Sequence, residues 1–202
     1  MAEITSEMVR SLREKTGAGI LECKNALTEA DGNYDRAIDI LRKKGIASAS
    51  KKLGRTAAEG VIESYIHAGN RIGVLVEVNC ETDFVARTQD FKMFVKEITM
   101  QIAAANPLYI NSEDVPQDVI QKEKEIYTEQ SKISGKPANV IEKMVQGKLD
   151  KFYKEVCLME QAYIRDPNIV VGDLLKALIG KLGENVIIRR FARYQLGETS
   201  KD

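Results

Sequence analysis

The chain has 202 residues, 44% of them hydrophobic, which gives room for one medium domain plus a small one and argues against a disordered chain. Thirty basic and thirty acidic residues cancel, so no whole-chain field gathers nucleic acid or lipid. Three widely spaced cysteines (Cys23, Cys80 and Cys157), no Cys-x-x-Cys pair and a single histidine, His67, argue against a zinc site and for buried thiols in a reduced, cytosolic protein.

At the N-terminus, Met1-Ala2-Glu3-Ile4-Thr5 has neither the charged and apolar halves of a signal segment nor an Arg-rich leader. Residues 4 to 45 read as three short helices. Thr5 can cap the first, which carries Met8, Val9 and Leu12 on one stripe. Thr16-Gly17-Ala18-Gly19 breaks it, since two glycines favour a turn. The second presents Ile20, Cys23 and Leu27 and stops at Asp31-Gly32. Asn33 can cap the third, which shows Tyr34, Ala37, Ile38 and Leu41 before Gly45 ends it. A compact three-helix docking module over 1–45 is the expectation.

Residues 46 to 59 are small, polar and basic, and read as a linker with some helical character. From Gly60 the period changes to two: Val61 to Ile66 and Ile72 to Val78 form a hairpin around His67-Ala68-Gly69-Asn70-Arg71. Glu77 breaks the second run, so no stretch approaches a membrane span. A helical stripe follows, with Phe84, Phe91, Phe94, Val95, Ile98 and Ile102, running up to Pro107. Two more helices open near Pro116 and Pro137, a last one covers Val171 to Leu182, and a final strand runs from Asn185 to Leu196. The order predicts an α+β core over 60–197, an antiparallel sheet with helices packed on one face, and a polar tail over 198–202.

Catalytic signatures are missing. No Gly-x-x-x-x-Gly-Lys-Ser/Thr loop is present, and Gly17-Ala18-Gly19 follows a helix rather than a strand. His67 in a hairpin loop reads as a polar surface residue, not a base. The unusual place is Asn79-Cys80-Glu81-Thr82-Asp83-Phe84-Val85-Ala86-Arg87, where a strand gives way to a helix. Thr82 or Asp83 can cap the free amides. Two readings of Phe84 stay open: a staple fixing the helix to the core, or an exposed wedge of the kind that anchors small interfaces.

At this point the chain resembles the elongation factor Ts family. The resemblance is carried by Thr16-Gly17-Ala18-Gly19 and Cys23-Lys24-Asn25-Ala26-Leu27 near the start, and by Glu77 to Ala86 as the more specific signature. Arg71 to Val76, Glu142-Lys143-Met144-Val145 and Gly183-Glu184-Asn185-Val186 are similar too, so it extends from about residue 3 to 196. It implies that the three helices are a ubiquitin-associated-like domain docking on elongation factor Tu. It also implies an exchange factor that releases GDP and Mg²⁺ from Tu, without covalent chemistry, cofactor, metal site, stable nucleic acid or membrane, in the cytoplasm. An organelle-encoded copy would read alike.

On this resemblance Thr82, Asp83, Phe84 and Val85 disturb the Mg²⁺ side of Tu, and Phe84 is the wedge. The second hold on the same domain of Tu comprises Val9, Arg13, Thr16, Gly17, Ala18, Gly19, Ile20 and Leu21, while His67 rests elsewhere on Tu. The chain looks like the short form of the family, with one Thr-Asp-Phe-Val element and no segment for a second subdomain or a coiled-coil insertion. A homodimer giving a 2:2 complex with Tu would supply the second core surface. The alternatives are an RNA-binding protein using Lys51, Lys52 and Arg55, and a peptide- or ubiquitin-docking module.

Overall fold

A computed structural model describes residues 4–198; Met1–Glu3 and all but Glu198 of the expected polar tail lie outside the described residues. In chain order the elements are α1 (Ser6–Thr16), α2 (Ile20–Glu29), α3 (Tyr34–Ser50), β1 (Glu59–Ile66) and β2 (Ile72–Cys80). Next come α4 (Asp83–Ala86), α5 (Gln89–Ala105), α6 (Gln117–Lys132) and α7 (Ala138–Val156). The chain then forms β3 (Ala162–Tyr163), β4 (Asp166–Val170), α8 (Val171–Leu182) and β5 (Val186–Gln195). Two compact units result: among the described residues one holds 4–61 with Asn79–Lys92 and Asp173–Ile187, the other Ile62–Val78, Met93–Gly172 and 188–198.

In the first unit the cap residues read from sequence make the expected bonds. Thr5 Oγ1 accepts the Met8 amide at 3.2 Å, and Asn33 Oδ1 accepts that of Arg36 at 2.9 Å. Gly17 ends α1 at φ 69°, a left-handed conformation that a Cβ would strain, and its N–H donates to Arg13 O at 2.7 Å. Leu12, Cys23, Ala26, Leu27, Ala30 and Ala37 close the bundle core. Burying Leu12 and Leu27 is worth roughly 1.5–3 kcal/mol each, so this small core rests on very few side chains. Gly45 does not end α3, which continues to Ser50 into the stretch read as linker. There α8 comes against the α3 backbone: a Cβ built on Gly180 would sit 2.9 Å from Gly45 O and 3.0 Å from its Cα, whereas one on Gly45 itself would meet nothing.

The main sheet has the order β1-β2-β5. Its strands run antiparallel. The five-residue β1–β2 loop is too short for a parallel crossover, and His67 N–H donates to Ile72 O at 2.9 Å. Leu196 N–H donates to Arg71 O at 2.8 Å, and Arg190 Nε reaches Glu77 Oε2 at 2.7 Å. Val74, Val76 and Val78 alternate onto a buried face, as period two requires. Phe91, Phe94, Val95, Ile98 and Ile102 form the buried stripe of α5, and Arg193 of β5 donates to Ala103 O at 3.3 Å. By register the opposite face carries Ile62, Ile66, Leu75 and Tyr194, all exposed.

The helical stripe expected to run unbroken from Phe84 is interrupted. Thr88 restarts it, its hydroxyl accepting the Phe91 amide at 3.3 Å and donating to Val85 O at 2.8 Å. That break takes Phe84 off the buried stripe. The two helices expected near Pro116 and Pro137 form a helical hairpin, with Lys148 Nζ on Gln130 Oε1 at 2.7 Å and over the Tyr127 ring at 5.5 Å. A short β3–β4 hairpin was not expected. Fully buried Gln101 holds it, donating to Ala162 O at 3.2 Å and accepting the Ile164 amide at 2.9 Å.

Candidate functional site

The strand-to-helix junction is built by three carboxylates. Thr82 sits at φ −129°, ψ 154°, extended like the strand it leaves, and its Oγ1 accepts the Val85 amide at 3.4 Å. Thr82 therefore caps α4, and Asp83 does not. The same hydroxyl donates to Glu184 Oε1 at 2.6 Å, and the Thr82 amide donates to Glu184 Oε2 at 3.0 Å. This two-point, charge-assisted bond fixes the junction from behind. Glu81 returns the favour: its Oε1 accepts the Asn185 amide at 2.6 Å and faces Arg55 at 3.6 Å. Asn185 Nδ2 donates to Arg55 O at 2.8 Å, tying in the segment ahead of β1.

Asp83, in the first turn of α4, pairs with Arg87 at 2.7 Å one turn on. Ala86 turns inward and is buried, while Phe84 turns outward and is 78% exposed. Of the two readings of Phe84, the staple fails: nothing of the side chain is fixed to a core. Cys80 lies beneath the junction, its Sγ donating to Thr82 O at 3.1 Å. Burial, and then the Glu184 carboxylate, push this thiol up to about 11, so it stays protonated and inert at neutral pH. The arrangement is a hydrogen-bonded base carrying one large apolar side chain in water.

The second group of sequence candidates also lies in this unit. Ile20 and Leu21 open α2 and are 60% and 69% exposed, side by side with the Thr16–Gly19 turn. Thr16 Oγ1 donates to Leu12 O at 2.7 Å, and the Gly19 amide donates to Glu22 Oε2 at 3.1 Å, so the turn has a defined shape. Arg13 is exposed, whereas Val9 and Ala18 are half-buried against the bundle core. His67 belongs to the other unit and is exposed in the hairpin loop, its Nδ1 2.9 Å from the Tyr65 hydroxyl. Glu81, Glu184 and Asn185 had no assigned role in the sequence reading. Their signal in sequence is that Glu81 lies in the Glu77 to Ala86 signature and Glu184 and Asn185 in Gly183-Glu184-Asn185-Val186, neither of which names a partner for them.

Residues 47–198 match the family model described as Elongation factor TS. The chain is 65% identical over 195 residues to Elongation factor Ts of Caldanaerobacter subterraneus subsp. tengcongensis, covering 96% of this chain and 98% of that one. It is 63% identical over 195 residues to Elongation factor Ts of Carboxydothermus hydrogenoformans, covering 96% and 90%. With Elongation factor Ts of Alkaliphilus oremlandii it shares 59% over 196 residues, covering 97% and 90%. Among the described residues no helix is long and apolar enough to cross a membrane.

Proposed function

The chain belongs to the elongation factor Ts family, and from that premise we propose that it binds elongation factor Tu·GDP and releases GDP and Mg²⁺ so that GTP can enter. Its role is nucleotide exchange in translation elongation, and its partner is a translation elongation factor. Exchange requires tighter binding to nucleotide-free Tu than to Tu·GDP, because equal affinity for both shifts nothing. Coupling is reciprocal, so incoming nucleotide loosens the factor and recycles it. No covalent step is needed, and the work is done in the cytoplasm.

The observation that carries this reading is Phe84, 78% exposed on a four-residue helix whose cap is held by Glu184. Phe84 is the wedge that enters the nucleotide domain of Tu on its Mg²⁺ side, and Thr82, Asp83 and Val85 shape its base. Because Asp83 is paired with Arg87, it acts chiefly by orienting α4 rather than as a free charge. Val9, Arg13, the turn from Thr16 to Gly19, Ile20 and Leu21 make the second hold, with Ile20 and Leu21 as its apolar centre. His67 rests on another part of Tu. Stopped-flow release of a fluorescent GDP from Tu, with and without the chain, tests the function; an unchanged rate refutes it.

The second copy needed for a 2:2 complex docks through the open sheet face. Ile62, Ile66, Leu75 and Tyr194 are exposed there, an apolar surface that a monomer leaves in water. A monomer mass by sedimentation at micromolar concentration, with exchange intact, would remove the dimer from the scheme.

A further inference from the structure

The C-terminal end of α8 touches the bases of both proposed holds. Lys181 Nζ pairs with Asp90 Oδ1 at 2.7 Å, in the first turn of α5 just beyond the wedge helix. The Lys181 side chain also passes beneath the Thr16–Gly19 turn: a Cβ on Gly17 would collide with Lys181 Cε and lie 3.1 Å from its Nζ. One residue earlier, Gly180 meets the backbone of α3 at Gly45. Three residues later, Glu184 grips Thr82 through both its carboxylate oxygens. Three residues of the stretch Gly180 to Asn185 thus contact α3, the turn before α2, the start of α5 and the cap of α4.

We propose that this segment is a rigid spacer, and that Lys181 and Glu184 are positioning residues for nucleotide exchange. The inference rests on the two-hold reading given above. Two holds on one partner strain it only if the distance between them is fixed; joined loosely, they still add avidity but transmit no distortion. Lys181 sets the N-terminal turn against the start of α5, and Glu184 sets the wedge. Loss of either leaves Phe84, Ile20 and Leu21 exposed and able to bind, but no longer at a set separation. The spacer therefore governs how fast bound Tu·GDP loses its nucleotide, not how tightly the factor binds.

The test uses the full chain and fluorescent-GDP release from Tu at rising factor concentration, which separates maximal rate from half-saturating concentration. Glu184→Ala, which removes two charge-assisted hydrogen bonds, is expected to lower the maximal rate at least about tenfold, and Lys181→Ala, which removes one partly exposed ion pair, up to about fivefold. The half-saturating concentration should stay within about threefold on the same scale. Lys181→Arg and Glu184→Gln should restore the rate, since the first keeps the cation and the second keeps an acceptor for the Thr82 amide. Should Glu184→Ala melt, Lys181→Ala decides, because its ion pair is partly exposed and contributes little to folding. An unchanged maximal rate in Lys181→Ala, or a loss confined to half-saturation, overturns the spacer while leaving exchange itself intact. A wild-type chain that does not accelerate release overturns the functional reading and the spacer with it.

Discussion

Removing the Phe84 ring separates folding from exchange. Burying a whole Phe side chain is worth roughly 1.5–3 kcal/mol. With 78% of Phe84 still in water, about four-fifths of that remains for a partner to collect, roughly 1.2–2.3 kcal/mol. At about 1.4 kcal/mol per decade, Phe84→Ala should slow factor-stimulated GDP release roughly 7- to 50-fold. The same substitution touches no core, so stability should move by no more than about 0.5 kcal/mol. Urea unfolding followed by circular dichroism measures the second quantity and stopped-flow fluorescence the first. If release keeps its wild-type rate while the variant folds, Phe84 is not the wedge. If unfolding shifts by about 2 kcal/mol or more, the ring supports the fold and the division of labour is wrong.

Other substitutions read different parts of the unit. Leu12→Ala empties a fully buried position of the bundle core and should cost about 2–5 kcal/mol, seen as a lower melting temperature with weakened Tu binding. Gly180→Ala forces a methyl group against the Gly45 backbone and should destabilise by about 1–3 kcal/mol in urea titration. Raised thiol values make stability fall in alkali. Cys80 and Cys157 ionise at 9.0 when unfolded and at about 11 when folded, chiefly through burial. The native state then holds the extra protons, so the melting temperature should drop as pH rises from 9 to 11. Melts that hold constant across that window would contradict the burial of both thiols.

Local chemistry was legible where a residue acts on its own neighbours. Thr5 and Asn33 cap as their side chains suggest, and α8 begins and ends where its apolar period does. The cap at Thr82 could be read too, with Asp83 as the competitor, because either residue type suits the position. What could not be read depends on partners far away in the chain. Gly45 reads as a helix stop, yet α3 runs through it to Ser50, and the need for glycine at 180, set against the α3 backbone, shows only in three dimensions. Phe84 and Phe91 are seven residues apart, a helical repeat, so one continuous stripe was the natural expectation; only the Thr88 restart separates their fates. The β3–β4 hairpin escaped because its strands are two and five residues long and contain Pro167, too short for a period to register. The exposed ring was one of two open possibilities in sequence, whereas Glu184 stood in a recognisable segment that gave no hint of its partner 102 positions away.

The bond between Thr82 and Glu184 spans 102 positions, and that span orders events in time. A ribosome adding roughly 5–20 residues per second delivers Thr82 several seconds before Glu184 exists. During that interval Phe84 can emerge on a growing chain without the carboxylate that fixes its base, and β2 lacks its β5 neighbour. Closing so long a loop is among the slower steps of folding. Phe84 is thus translated near the middle of the chain while its base is completed only near the end, so an unfinished copy carries the proposed wedge without the support that would give it leverage.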